Sequence, residues 1–215
     1  MKKLQAGMLA LALSAMAGSS ANAATILVFG QTDTPNGVTA TAAGGATSIN
    51  SNNLAVTITA IEGGGPDINA FLTLDLDSVG AAFVVGGNGI GQIYSGTFAI
   101  TNGAVNYLSG TIGGALALGL SGGTSLTIAS AQPPAGLTFT ENTPLITSLD
   151  VPRSLSLSFT NVTPGLQIVG GTIGSFTATV SGDASATPAT VPEPATLMVL
   201  GAGLIGAAFR ARRRS

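Results

Sequence analysis

The sequence predicts an all-β fold for the central part of the chain, an antiparallel β-sandwich of the jelly-roll type. Apolar residues fill every second position in segments 54–61, 71–77 and 154–159, which is the pattern of a strand with one buried face. Turn-forming Gly, Asn and Pro residues separate these segments, and no part of the region has a helical period. About eight to eleven short strands spaced in this way favour two packed sheets.

The first 23 residues have the order of parts of a secretory signal peptide. Lys2 and Lys3 give a positive start, residues 6–17 form an apolar stretch, and Ala21 and Ala23 form a small-residue cleavage site. We expect signal peptidase to cut between Ala23 and Ala24, with the next bond as the alternative. A permanent anchor is the other interpretation, but the apolar stretch is short for a membrane span.

The predicted domain covers residues 24–180. A strand at 25–29 is expected at a sheet edge, and the three alternating segments supply further strands. Weaker alternation predicts four more strands, at 93–101, 105–112, 125–130 and 175–181. A glycine-rich stretch at 86–91 is similar in composition to a phosphate-binding loop. It lacks the following helix and the Lys-Ser/Thr pair of such loops, so we expect a turn.

The C-terminal part begins with segment 181–190, which is rich in Ser, Thr, Ala and Pro and is predicted to be a flexible linker. Segment 191–215 then contains a Pro-Glu-Pro motif, an apolar stretch at 195–209 and four arginines. The residues of the motif and the cluster are Pro192, Glu193, Pro194, Arg210, Arg212, Arg213 and Arg214. We predict a transmembrane helix at 195–209 with its arginines in the cytoplasm and the domain outside.

This order of a Pro-Glu-Pro motif, a short apolar span and an arginine cluster resembles the PEP-CTERM sorting signal of Gram-negative bacteria. The resemblance implies that exosortase, an integral-membrane cysteine enzyme, recognises the tail, cuts near the motif and passes the protein on. The expected route has an inner-membrane-anchored intermediate facing the periplasm, then the outer surface or extracellular matrix. Members of this family are often encoded beside exopolysaccharide genes, which implies a role in exopolysaccharide or biofilm. An ordinary tail anchor is the alternative.

Charge and composition exclude several function classes for the domain. Between Ala24 and Val191 the only basic residue is Arg153, against eight acids, so the net charge is −7. Such a domain cannot neutralise a phosphate backbone, which excludes nucleic-acid binding. The chain has no Cys, His or Trp, which removes disulfides, most nucleophile–base pairs and the usual zinc ligands. We therefore expect a non-catalytic domain without an obligate cofactor.

Asp75 and Asp77 are the strongest candidate site in the sequence. They are two positions apart on one predicted strand, so their carboxylates share a face. Calcium coordination is one interpretation, with Glu62 and Asp67 of the preceding loop as further ligands. A pair of glycosidase carboxylates is the second interpretation, and a solvated face that protects a hydrophobic strand from aggregation is the third.

The other polar and aromatic residues have simple interpretations. Arg153 is expected to pair with Asp150 at the surface. Tyr94 and Tyr107 either stack on a sugar or pack in the core.

The leading hypothesis is a structural or interaction module at the cell surface. The rivals are a calcium-assisted carbohydrate-binding module and a glycan hydrolase that uses carboxylates alone, both weakened by the absence of Trp.

Overall fold

The computed structural model describes residues 23–32 and 37–188 of the chain. These residues form twelve β-strands, and no helix long and apolar enough to cross a membrane occurs among them. The transmembrane helix predicted at 195–209 lies outside the described residues. The strands are β1 (Ala24–Gln31), β2 (Val38–Ala43), β3 (Ala46–Ile61), β4 (Ile68–Ser78), β5 (Phe83–Val85), β6 (Gly89–Asn102), β7 (Val105–Leu120), β8 (Leu126–Gln132), β9 (Asp150–Thr163), β10 (Ile168–Val169), β11 (Thr172–Ile173) and β12 (Phe176–Thr187).

The main sheet is a closed antiparallel barrel of eight strands, so the predicted sandwich is wrong while the predicted all-β class is confirmed. The ring runs β1-β3-β4-β6-β7-β8-β9-β12 and returns to β1. β12 closes it by pairing with β9 on one side, where Val180 faces Phe159, and with β1 on the other, where Val28 faces Asp183. Alternation of apolar and polar residues is the same in a sandwich and a barrel, so it could not distinguish them.

Two short strands extend the barrel wall beyond the ring. β2 runs in the same direction as β1 and also pairs with β12 and β3, but nearer the starts of these two strands. β5 likewise continues the line of β4 along β6, with Phe83 opposite Gly91 and Val85 opposite Gly89. β5 pairs with β6 alone, so it is an edge strand.

The alternation read from the sequence sets the inner and outer faces of the wall. On β4, Leu72, Leu74 and Leu76 are buried inside the barrel, while Asp75 and Asp77 are exposed outside. Burial of each such leucine contributes about 1.5–3 kcal/mol to folding. The same alternation holds in β9, where Leu155, Leu157 and Phe159 point inwards.

A long connection between β8 and β9, residues 133–149, covers one end of the barrel; we call it the cap segment. Its first part pairs with β7. The Thr138 amide donates to the Thr111 carbonyl at 3.0 Å, and the Thr140 amide donates to the Ser109 carbonyl at 2.8 Å. Its buried side chains include Leu137, Phe139 and Ile146. Its second part reaches the end of β3, where the Gly63 amide donates to the Leu145 carbonyl at 2.7 Å.

Both ends of the domain emerge beside this cap segment. Ala24 at the start of β1 faces Ala186 near the end of β12, so the two chain ends are neighbours. We call this end of the barrel the proximal end. The opposite, distal end carries the β2–β3 and β5–β6 turns and the β10–β11 hairpin.

The linker predicted at 181–190 is wrong for residues 181–187, which form the second half of β12. Gly182, Ala184 and Ala186 face the interior and the residues between them face outwards or are half-buried. A Cβ atom on Gly182 would lie 2.7 Å from the ring of Phe29, so the larger neighbour on β1 requires a small residue here. Because the inward residues are small, the strand has no apolar period that the sequence could show.

Candidate functional site

Asp75 and Asp77 lie side by side on the outer wall, within a row of oxygen-bearing side chains. Asn50 and Thr97 flank Asp75 on the adjacent strands, and Ser48 and Ser95 flank Asp77. The Ser48 hydroxyl donates to a carboxylate oxygen of Asp77 at 2.5 Å. No group of three or more His, Cys, Asp or Glu that could hold a metal occurs within residues 23–32 and 37–188. Calcium binding at this pair stays a prediction.

Glu62, the proposed further ligand, instead holds the cap segment to the end of β3. One carboxylate oxygen accepts the amides of Thr147 and Ser148 at 2.8 and 3.0 Å. The other accepts their hydroxyls at 2.9 and 2.5 Å. Burial alone would raise the pKa of Glu62, but the hydrogen bonds from Ser148 and Thr147 outweigh it and hold the pKa below its ordinary value of 4.5. We call this set of bonds the Glu62 clasp.

The Glu62 clasp gives a pH-dependent contribution to stability. A lowered pKa means that the clasp stabilises the fold above pH 4.5 and loses its effect as pH falls through the folded-state pKa. We expect Glu62→Gln to lower the free energy of unfolding by about 1 kcal/mol at neutral pH. The loss is no larger because Glu62 is exposed and solvent screens its charge. At acid pH this loss of unfolding free energy should be smaller, since the wild-type carboxyl is then protonated and as uncharged as the glutamine.

Urea unfolding of both proteins at neutral and acid pH measures this difference. Asp67→Asn is the matched control, because Asp67 is exposed on the same loop and no bond to its carboxylate is found among the described residues. If Glu62→Gln lowers the free energy of unfolding equally at both pH values, the carboxylate charge contributes nothing to the clasp.

A buried polar network closes the distal end of the barrel. The Gln92 side chain, fully buried, donates to the Thr172 hydroxyl at 2.8 Å and to the Gly80 carbonyl at 3.1 Å. Its carbonyl oxygen accepts the Ile173 amide and the Tyr94 hydroxyl at 2.9 and 3.2 Å. These bonds fasten the β10–β11 hairpin across the barrel mouth. Sequence reasoning missed Gln92, because one glutamine within a strand carries no distinguishing signal.

The two tyrosines belong to the core and so do not form a sugar platform. Tyr94 is fully buried, and Tyr107 is 9% exposed. Burial raises the pKa of Tyr94, so its hydroxyl stays protonated.

Arg153 does not form the predicted ion pair with Asp150. Its guanidinium carbon lies 5.8 Å from the centre of the Phe139 ring in the cap segment, and the described residues contain no ion pair between it and Asp150.

Residues 86–88 of the glycine-rich stretch form the β5–β6 turn, whereas residues 89–91, which were also predicted to be a turn, begin β6. Gly86 and Gly87 have positive φ angles of 54° and 90°, which only glycine adopts readily. The turn borders an open cleft of about 310 Å³ at the distal end. Val84 and Ile90 of the hairpin line one side, and Gln167 and Ile168 line the other.

The described chain ends next to the predicted targeting segments lie at the proximal end. Ala23 and Ala24, on either side of the predicted cleavage bond, are both exposed at the start of β1. Ala21 and the rest of the predicted signal peptide lie outside the described residues. So do Pro192, Glu193, Pro194 and the four arginines, which begin a few residues after the end of β12.

Comparison with known protein families decides the nature of this tail. Residues 190–214 match the PEP-CTERM protein-sorting motif. The chain is therefore an exported protein with a C-terminal sorting signal, and exosortase is its processing partner. The match covers the tail alone and leaves the barrel unassigned. Neither the curated proteins nor the solved structures contain a significant match to the chain.

Proposed function

We propose that the barrel is a non-catalytic structural or interaction module, released by exosortase to the outer surface or into the exopolysaccharide matrix. The observation that supports this role most directly is the sorting motif, which starts within three residues of the end of β12. A domain joined so closely to its sorting signal is the cargo of that signal.

The position of the chain ends supports one orientation of the proposed membrane-anchored form before processing. Five Cα steps separate Thr187 from Pro192, a distance of about 18 Å at most. The proximal end with its cap segment therefore faces the membrane, and the distal end points away from it. Partners outside the cell envelope meet the distal end first.

The side chains with shifted pKa values support a structural role rather than a catalytic one. Among the described residues these are Glu62 and Tyr94. Glu62 fastens the cap segment, and Tyr94 is enclosed in the core beside Gln92. Catalytic acids and bases need access to a substrate, and neither group lines the distal cleft.

Deleting exosortase from the producing cell tests the proposal. We expect the protein to leave the matrix fraction and to accumulate in the inner membrane at the mass of the uncut tail. Returning the enzyme gene should restore the processed mass and co-fractionation with exopolysaccharide. Unchanged amounts in the matrix of the deletion strain would refute the exosortase route. Processed protein that never accompanies polysaccharide would refute the matrix role alone.

A further inference from the structure

The barrel ends very close to the sorting motif. β12 runs to Thr187, and the matched motif starts at Thr190. Three Cα steps join these two residues, a distance of about 11 Å at most. Packed protein surfaces have their backbones about 10 Å apart. An enzyme that encloses the motif therefore comes within contact distance of the proximal end of the barrel.

The end of β12 is held on both sides, which opposes its release into a longer tail. Ala184 and Ala186 are buried, and both pair with β9 on one side and with β1 on the other. Thr187 is 3% exposed, and its hydroxyl donates to the Pro152 carbonyl at 3.1 Å. Releasing these residues would break backbone hydrogen bonds to two strands and expose the barrel interior. This arrangement favours a barrel that stays folded to Thr187 when the enzyme meets the motif.

A small exposed surface surrounds the point where the tail leaves the barrel. The register of β12 and β9 shifts between Ala186 and Thr187, so Val151 bulges beside the tail without a partner on β12. Its apolar side chain is 49% exposed. Asp150, opposite Thr187, is exposed, and its carboxylate has no hydrogen bond or ion pair within the described residues. We call Asp150, Val151 and the exposed Ala24 of β1 the exit surface.

Charge indicates which kind of partner surface fits the proximal end. Four acids lie on the strand ends and connections here: Glu62, Asp67, Glu141 and Asp150. Arg153 is the only basic residue between residues 24 and 191, so it offsets one of them. The motif adds a further acid, Glu193. A partner that binds both the motif and the exit surface needs a basic surface with an apolar contact for Val151.

From these observations we propose that exosortase binds the exit surface of the folded barrel while it holds the sorting motif. The enzyme thus recognises two features of its substrate, the Pro-Glu-Pro tail and the barrel end a few residues before it. Because the connection is short, the second contact is intramolecular once the first has formed, which raises its effective concentration. The inference rests on the proposed exosortase route and adds to it a surface of the barrel that the enzyme contacts.

A flexible spacer separates the two contacts without changing either of them. A Gly-Ser insertion of about 12 residues between Pro188 and Ala189 leaves the matched segment 190–214 intact and adds about 20 Å of average reach. We expect tail removal to become about tenfold slower, because the exit surface no longer stays beside the bound motif. Pulse–chase labelling and the intact mass of the full chain in the producing cell measure the rate. An unchanged rate, or a faster one, would overturn the proposal.

Two substitutions in the exit surface test the contact itself. Val151→Ser removes the apolar contact and Asp150→Lys reverses the charge, so we expect the double variant to be processed about tenfold more slowly than the wild type. Val169→Ser with Asp75→Lys is the matched control, since Val169 is 50% exposed on the β10–β11 hairpin and Asp75 is exposed on the outer wall. The control should be processed at the wild-type rate. Equal rates for the two double variants would contradict docking at the exit surface.

A photo-cross-link provides a readout that does not depend on the stability of these variants. A benzophenone amino acid in place of Val151 should join the full chain to exosortase, whereas the same amino acid in place of Val169 should not. Cross-linking from both positions, or from neither, would overturn the proposal. Deletion of the exosortase gene should leave every variant uncut; if the wild type is still processed, the exosortase route itself is wrong. Failure of docking and failure of the proposed route are thus observed separately.

Discussion

Replacing Gly110 with alanine is expected to detach the cap segment and to destabilise the barrel by about 3 kcal/mol or more. The new Cβ atom would lie 1.8 Å from the carbonyl oxygen of Thr138 and 2.8 Å from its carbon. Both obstacles are backbone atoms, so no side-chain rotation relieves the overlap. Leu137 and Phe139, now buried, would move outwards with Thr138. Thermal unfolding followed by circular dichroism should show a Tm lower by about 10 °C.

Gly30→Ala is the matched control for this substitution. Gly30 also lies in a strand of the barrel, but no atom comes within 4 Å of a Cβ placed there. We expect its Tm to stay within about 2 °C of the wild type, since the change adds one methyl group to open space. If Gly110→Ala melts together with Gly30→Ala, the cap segment does not pack on β7 as the structure has it.

The faces of the strands could be predicted from the sequence, whereas their partners could not. Leu74 and Leu76 of β4 have a polar neighbour on both sides, so their burial follows from the two-residue period of a strand. Closure of the barrel depends on β12, which pairs with β1 more than 150 positions away, Ala24 facing Ala186. The second half of β12 consists of small residues, and small residues give no sign of their inward direction.

The same limit applies to the candidate site. The exposure of Asp75 and Asp77 follows from their positions on β4, and the turn at 86–88 follows from its glycines. The partners of Glu62 are 85 and 86 positions away in the cap segment, beyond the reach of any local sequence pattern. Arg153 meets Phe139 instead of Asp150 because the cap segment folds back over the barrel end. Contacts of this kind depend on chain topology rather than on local pattern.

Changing Pro192, Glu193 and Pro194 to three alanines is expected to abolish exosortase processing almost completely. A plain anchor needs only apolar length and flanking charge, and it tolerates almost any residue before the span. The sequence of two prolines around one acid restricts the backbone and adds a negative charge, which a processing enzyme can recognise. The variant should therefore still insert, and it should accumulate in the inner membrane with its arginines attached. Membrane fractionation and the intact mass of the C-terminus measure both effects.

Ala189→Ser is the control for the triple alanine variant, because position 189 directly precedes the matched residues 190–214. We expect this variant to be processed and exported like the wild type, since the barrel ends at Thr187 and the signal is untouched. If the triple variant reaches the surface at the normal mass, the Pro-Glu-Pro segment is not a recognition element, and the tail acts through its apolar span and arginines alone.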